Sequence, residues 1–355
     1  MRSSPSRARA LLLPFVAAVV ALPTAAAATR EAGGHANTVP RHAASAKKWA
    51  QMVAKAKQEG SVTIYSSQSP ASLQALADKF KAKYGISVTF NRQNDNITAQ
   101  QVGAEYGTGK HFADVWVVAA KNIVYGAIRN KWAVPAVGPD LFKKRYTRSA
   151  FAKPGNAFVV STAIASFGWN TSLWPKGIKD YPDFLNPDLA NGKIGVVQPS
   201  VPGHVDFYRD FITKKYGKDF LVRLAALKPK IYPSGINVQT ALASGEIAAA
   251  IYLTPQVLAL RSQGAPVDFK LTPGGSWNSP WWAIVLSKAP HPNAAQLLAD
   301  YMLTPEGQAT INQGFGAVLK KVPGAYTIPL RSTKLINFTP QKVSSYINYW
   351  NSLFH

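Results

Sequence analysis

The chain has 355 residues, 47% of them hydrophobic, and carries 40 Lys and Arg against 17 Asp and Glu, a formal charge of +23. That apolar fraction builds a buried core and excludes a wholly disordered or collagen-like chain, and the length fits one large or two medium domains. Cysteine is absent, which excludes disulfides, zinc–thiolate sites, iron–sulfur clusters, cysteine nucleophiles and lipid anchors on cysteine.

The N-terminus is basic (Arg2, Arg7, Arg9), then apolar from Ala10 to Leu22, then small from Ala25 to Ala28. This order predicts a secretory signal peptide over 1–28, cleaved near Ala26–Ala28. The 13-residue apolar run falls short of the roughly 20 residues that span a bilayer, and Arg7 and Arg9 are not adjacent, which argues against a twin-arginine route. The expected location is periplasmic or secreted, without a lipid anchor. Without the three leader arginines the charge is +20. Such a field favours anionic partners. Export and the scattering of basic residues in pairs such as Lys47-Lys48 and Lys214-Lys215 speak against nucleic acid and for a solvated basic surface.

Residues 29–44 read as a polar, flexible leader. A helix over 44–58 places Trp49, Met52, Val53 and Ala56 on one face. Val62–Tyr65 reads as a buried strand. Ser69-Pro70 supplies an N-cap and a first-turn proline for a helix with Leu73, Leu76, Ala77, Phe80 and Tyr84 inward, closed by Gly85. Ile86–Phe90 is the next strand, so this unit implies a parallel sheet with a crossover helix. A helix over 99–106, a strand over 113–118 and a helix over 119–130 follow, then one long strand over 158–169.

A second series begins with a strand over 193–197 and a turn broken by Pro and Gly from Gln198 to His204. Helices are predicted over 206–216, 220–227 and 238–244, and strands over 247–252, 267–271 and 281–286. The remainder reads as helical: 293–303, a helix opened by Thr304-Pro305, and a last one opened by Thr339-Pro340 with Val343, Tyr346, Ile347, Trp350 and Phe354 inward. No tandem repeat is present.

No catalytic set emerges. The six histidines do not pair at i,i+3 or i,i+4, and HExxH, GxSxG, a Walker loop and GxGxxG are missing. Asp114 at a strand start reads as a partner for backbone N–H groups rather than a base. The recurring feature is a strand followed by a small polar turn and a helix start, at Ser66–Ser69, Ser200–His204 and Ser234–Asn237. In open α/β sheets ligands lie beyond the carboxyl ends of the strands, where helix N-termini offer unpaired N–H groups. Converging turns of this kind suit a polar or anionic small molecule.

Several stretches carry a resemblance: Glu59–Ser67, Ala113–Trp116, Phe167–Thr171, Ala243–Ala250, Ala289–Ala295 and Leu303–Gln308. In this order, over roughly 45–320, the chain resembles bacterial extracellular solute-binding proteins of ABC importers, in the type 2 branch that includes ferric, thiamine, polyamine and phosphonate binders. The resemblance implies an α/β fold of two lobes with mixed sheets, flanking helices and two crossover hinge strands. Lobe one would take 45–160 with 283–355 and lobe two 170–272, with crossings near 161–169 and 273–282. It implies a non-enzymatic receptor, monomeric and without cofactor, that closes on a solute and delivers it to a membrane ABC permease. Expected ligand contacts are Ser66, Ser67 and Ser69 from lobe one, Ser200, His204, Asn237 and Tyr252 from lobe two, and Ser276, Trp277 and Asn278 from the second crossing. The plainer reading of Trp277, Trp281 and Trp282 is core packing, and that of His204 a surface residue. Where ferric binders carry a His, an acid and a tandem tyrosine pair, this chain has Ser69, Ala119 and Leu253–Gln256 after a lone Tyr252. A metal site is therefore not expected. A ferric-binding variant, a secreted enzyme and a cell-surface binding protein are the alternatives.

Overall fold

A computed structural model describes residues 46–143, 151–152, 156–200, 202–254, 257–273, 276–327 and 340–355. The signal peptide and leader readings lie outside them. Along the chain, α1 (Ala46–Glu59), β1 (Ser61–Ser66), α2 (Pro70–Tyr84), β2 (Ser87–Arg92), α3 (Asp95–Thr108), β3 (Val115–Val118) and α4 (Lys121–Arg129) alternate. Short strands β4 (Ala133–Val134) and β5 (Phe151–Ala152) precede β6 (Ala157–Ile164) and β7 (Ser166–Asn170). Then come β8 (Ile194–Val197), α5 (Pro202–Asp206), a π-helical segment (Phe207–Ile212), α6 (Thr213–Tyr216) and α7 (Asp219–Ala226). Next are β9 (Lys230–Tyr232), α8 (Gly235–Ser244), β10 (Ala249–Leu253), α9 (Val257–Ser262) and β11 (Val267–Lys270). The chain closes with β12 (Asn278–Leu286), α10 (Pro292–Tyr301), α11 (Pro305–Ile311), β13 (Gly316–Ala317), β14 (Tyr326–Thr327) and α12 (Pro340–Leu353).

Two mixed sheets result. The first runs β14-β13-β6-β12-β3-β1-β2, with β4 on β12 and β5 on β6; the second runs β11-β7-β10-β8-β9. Each carries its own apolar core: Val62, Ile64, Val115, Trp116 and Trp282 lie in one, and Phe167, Ile194, Val197, Phe207 and Tyr252 in the other. The parallel β1–β2, β1–β3, β8–β9 and β8–β10 pairs point the carboxyl ends of their strands toward the helix starts that follow them.

The long strand predicted over 158–169 is two strands. Ala165 is the single residue between β6 and β7, and its N–H donates to the Trp277 carbonyl at 3.0 Å. At this point the chain passes from one sheet to the other, which residue patterning does not register because both halves are buried. The helix predicted from Asp206 starts at Pro202, so His204 lies in a first turn and not in a loop; proline is tolerated there because it lacks only an N–H that has no intrahelical partner. Strand β9 and helix α9 were not anticipated. The C-terminal helix α12, expected with lobe one, buries Trp350 and Phe354 in the second core. Trp350 packs 5.7 Å from Tyr208 and 4.3 Å from Phe354, ring to ring. A helix that follows first-lobe elements in sequence thus returns to cover the second sheet.

Local chemistry explains the corners. Asp114, fully buried, accepts from Thr63 N (2.7 Å), His291 N (2.6 Å) and His291 Nδ1 (2.9 Å), tying β1, the start of β3 and α10 together. Asn170 at the end of β7 donates to the Leu242 carbonyl of α8 at 2.9 Å. Gly245 ends α8 with φ +80°, and Thr304 caps α11 through Gly307 N. Gly168 sits where an added Cβ would lie 2.4 Å from the Asp268 carbonyl, so β7 and β11 approach too closely for any side chain.

Candidate functional site

On the first sheet, β1 ends in the Ser66–Ser69 turn. Ser66 is fully buried and its Oγ accepts from Gln68 N at 3.1 Å. Ser69 caps α2 through Ser72 N and also donates to Ser72 Oγ. Ser67 Oγ accepts from Trp281 Nε1 at 3.0 Å. Asp95 accepts from Ala119 N (3.0 Å) and Ala120 N (2.7 Å) at the start of α4. Burial pushes its carboxyl above the usual aspartate range, opposed by these hydrogen bonds and by Arg92. Arg92 closes β2 and donates from Nε to the Gln68 carbonyl at 3.3 Å. Gln68 is 3% exposed and its Oε1 has no hydrogen-bond partner.

On the second sheet, His204 Nδ1 lies 3.1 Å from the Gln198 carbonyl. A carbonyl only accepts, so Nδ1 carries the proton and Nε2 of the neutral ring is an acceptor. Burial lowers the imidazole from 6.5 to about 4. The ring stands edge-on to Tyr252, centroids 5.2 Å apart. Phe207 lies 5.1 Å from Tyr252 and 5.9 Å from Trp277, so these rings form one wall with His204. Tyr252 at the end of β10 is buried, which raises its phenol. Asn237 is exposed in the first turn of α8; its Oδ1 accepts from Ser234 Oγ, and Gly235 beside it rests on the Tyr252 ring. Ser200 is exposed beyond β8.

The second crossing holds the remaining three. Ser276 Oγ accepts from Thr272 N at 2.9 Å. Trp277, 7% exposed, donates from Nε1 to Asp206 Oδ2 at 2.8 Å. Asn278 opens β12 opposite Ile164. Trp282 is core, whereas Trp281 is only partly buried, bonded to Ser67, and packs 5.7 Å from Phe315.

The structure therefore brings together His204, Tyr252 and Trp277, with the Asn237 turn beside them, and sets Ser66, Ser67 and Ser69 on one turn of the other sheet. The hydroxyls of Ser66, Ser69 and Ser276 are engaged within their own turns, and that of Ser67 by the Trp281 indole of β12. Sequence reasoning passed over Gln68, Arg92, Asp95 and Lys121, and assigned to the core Trp281, which is only partly buried. Arg92 ends β2 and Lys121 opens α4 three residues after β3; Asp95 lay ahead of the helix predicted over 99–106, whereas α3 starts at Asp95 itself.

Similar folds support this layout. The substrate-binding protein of an ABC transporter from Agrobacterium tumefaciens aligns with a TM-score of 0.71 at 14% identity, covering 83% of this chain and 94% of that one. Iron-bound HitA from Pseudomonas aeruginosa aligns at 0.64 and 19%, covering 82% and 99%. The periplasmic binding protein AfuA from Actinobacillus pleuropneumoniae, with fructose-6-phosphate bound, aligns at 0.64 and 20%, covering 83% and 98%. The architecture is thus the two-lobed, type 2 periplasmic-binding fold. A family model for bacterial extracellular solute-binding proteins matches residues 62–315, more than two thirds of the sequence, and the chain belongs to that family.

Proposed function

We propose that the crevice beyond the strand ends of the two sheets takes up a small polar or anionic solute, and that the lobes close on it and present it to an ABC permease. Residues 1–28 direct export, the protein acts as a monomer outside the cytoplasm, and the solute leaves unchanged. The observation that supports this reading is a repeated strand-to-helix junction: β1–α2 and β3–α4 deliver helix starts to the carboxyl ends of the parallel strands in one sheet, and β8–α5 and β9–α8 do so in the other. Such starts carry N–H groups and partial positive charge suited to oxygen ligands.

The donors are not equivalent. At α4 the chain's own Asp95 carboxylate already takes Ala119 N and Ala120 N. An anionic group of the solute is therefore better served by the start of α5 and by Arg92 and Lys121 on the first-lobe rim. Neutral His204 offers an acceptor at Nε2, which suits a hydroxyl or ammonium donor on the solute. Tyr252 and Trp277 supply the apolar wall.

Mass spectrometry of small molecules retained by gently purified protein identifies the solute. Adding it back at a hundredfold excess over its dissociation constant stabilises the fold by about 2.7 kcal/mol. If nothing is retained, and inorganic phosphate, sugar phosphates and dicarboxylates leave the melting temperature unmoved, the reading fails. A tyrosinate-to-iron absorbance on adding ferric salt would favour the ferric variant of the same receptor. Among the described residues no group of three or more His, Asp or Glu side chains is placed to hold a metal.

A further inference from the structure

In the first sheet the parallel strands β1, β2 and β3 begin at one end, and the helices that return the chain to that end finish there. Hydrogen bonds stitch these termini into one face. Ser87 N donates to the Gly60 carbonyl at 3.0 Å, and Ser287 N to the Trp132 carbonyl at 2.7 Å. The Tyr106 hydroxyl bonds both Trp132 and Ser287, and its ring stacks on that of Trp132 at 4.9 Å. Lys57, Lys81, Lys110, Arg129, Lys131 and Lys288 stand exposed on this face, and among the described residues no carboxylate pairs with any of them. The carboxylates nearby are turned inward. Glu59 takes Asn293 N and Ala294 N, Asp114 takes Thr63 N and His291 N, and Glu105 takes the Tyr65 hydroxyl. On the second lobe, by contrast, Asp210, Glu246 and Asp268 pair with surface lysines and arginines. Phe112, 61% exposed, is the most exposed large apolar side chain among the described residues. Its backbone N–H is held by Glu105 Oε2 at 2.9 Å, which fixes the loop that displays its ring two residues from Lys110.

We infer that this face docks on an anionic lipid bilayer: its cations meet the phosphate headgroups and Phe112 enters the interfacial layer. Complementing helix dipoles accounts for Lys57, Lys81 and Arg129, which lie in the last turns of α1, α2 and α4. It does not account for Lys110, Lys131 and Lys288, which lie in the connections between elements, or for an aromatic ring left in water. Cations around a displayed aromatic are the combination that suits a headgroup surface. The charges are attracted to anionic lipid, and the ring gains by leaving water for the interface. A small anion is instead held in a concave site that buries it, and these six side chains are all exposed. Attachment of this kind is reversible and concentrates the protein in the layer where a permease lies. It goes beyond solute capture and does not depend on it.

Co-sedimentation with lipid vesicles tests this. The unaltered chain should bind vesicles containing phosphatidylglycerol, should ignore vesicles of phosphatidylcholine alone, and should be released by salt. Each basic residue near an anionic surface contributes roughly fivefold to binding. The combined change Lys110→Gln, Arg129→Gln and Lys288→Gln should therefore lower the partition coefficient by at least about tenfold. Lys179→Gln, Lys218→Gln and Lys228→Gln together remove the same charge from exposed positions of the second lobe and should lower it far less. Phe112→Ser should weaken binding, and Phe112→Trp should keep it. All of these positions are exposed, so melting temperatures should match that of the unaltered chain and show that lost binding is not lost folding. Equal losses in the two triple variants would show that net charge alone acts, and would overturn the inference. So would full binding by the first triple variant or by Phe112→Ser. Binding to soluble polyaspartate that matches binding to vesicles and ignores Phe112 would overturn it as well, by assigning the face to a polyanion. A solute-induced rise in melting temperature is read separately, so failure on vesicles leaves the receptor reading standing, and failure of every solute leaves the membrane face standing.

Discussion

The neutral His204 gives the stability of the protein a pH dependence of defined sign. In the unfolded chain the imidazole takes its proton near 6.5; in the folded protein burial holds it off until about 4. Between these values the unfolded state binds more protons, so stability is complete above 6.5 and is lost as the pH falls toward 4. The shift corresponds to about 3 kcal/mol in total, with about 2 kcal/mol gone by pH 5, and residual solvent contact of the ring trims the total to about 2–3 kcal/mol. Denaturant unfolding of the unaltered chain and of His204→Gln, at half-unit steps from pH 7.5 to 4, isolates this contribution as the difference between two curves. Glutamine can still donate to the Gln198 carbonyl but does not titrate. Asp95 and Asp206 act in the opposite direction, because their carboxyls are raised and take up protons earlier when folded, but they are common to both proteins and cancel. The unaltered chain should lose stability faster than the variant below pH 6.5. Parallel curves across that interval would refute the assignment of a buried, neutral His204.

Other outcomes follow from the packing. Trp350→Ala should destabilise the protein by about 3–5 kcal/mol, as expected for an aromatic removed from a core, and a mild effect would contradict the docking of α12 on the second lobe. Asp114→Ala should cost about 3 kcal/mol or more because it leaves Thr63 N, His291 N and the His291 ring without their acceptor, measurable as a fall in denaturation midpoint. Asp95→Ala should uncover Ala119 N and Ala120 N, so formate or phosphate should raise the melting temperature of this variant more than that of the unaltered chain; equal responses would show that those donors do not take up an anion.

Much of the first lobe was legible because its elements obey local rules. Ser69-Pro70 opens α2 and Gly85 closes it with φ +73°, and the inward positions of α12 match the predicted face. The stretches that carried the family resemblance turn out to be the corners where one residue satisfies several backbone groups: Asp114, Asn170, Gly245 and Thr304. Less legible was anything that depends on pairing between distant elements. No local signal marks Ala165 as the change of sheet, because residues on both sides are equally buried and β-prone. Nor does one show that α12 returns to the second core. For the site, the aromatic wall was found because Tyr252 ends the strand after Gly245-Glu246, where the resemblance puts ligand contacts, and Trp277 stands in the Gly-rich second crossing. Asp95, Arg92 and Lys121 were missed because a charged residue at a helix start or strand end is common, and its meaning depends on the backbone it faces.

One arrangement invites a catalytic interpretation and is better explained by folding. Ser61 Oγ lies 3.0 Å from His291 Nε2, and His291 Nδ1 lies 2.9 Å from Asp114 Oδ2, the connectivity of a nucleophile, a base and an orienting acid. Its location argues against acyl transfer. Ser61 begins β1, at the end of that strand opposite the helix start of α2. The backbone donors nearest the base, Asn293 N and Ala294 N at the start of α10, are already taken by the Glu59 carboxylate, so they cannot serve a developing oxyanion. Asp114 also accepts two backbone N–H groups, as a carboxylate that pins strands to a helix does. If the relay is such a staple, Ser61→Ala removes one partly exposed hydrogen bond and should cost no more than about 1 kcal/mol, while a fluorophosphonate probe should leave Ser61 unlabelled. Labelling at Ser61 that disappears with His291→Ala would reverse this assignment and give the receptor a second chemistry on its far face.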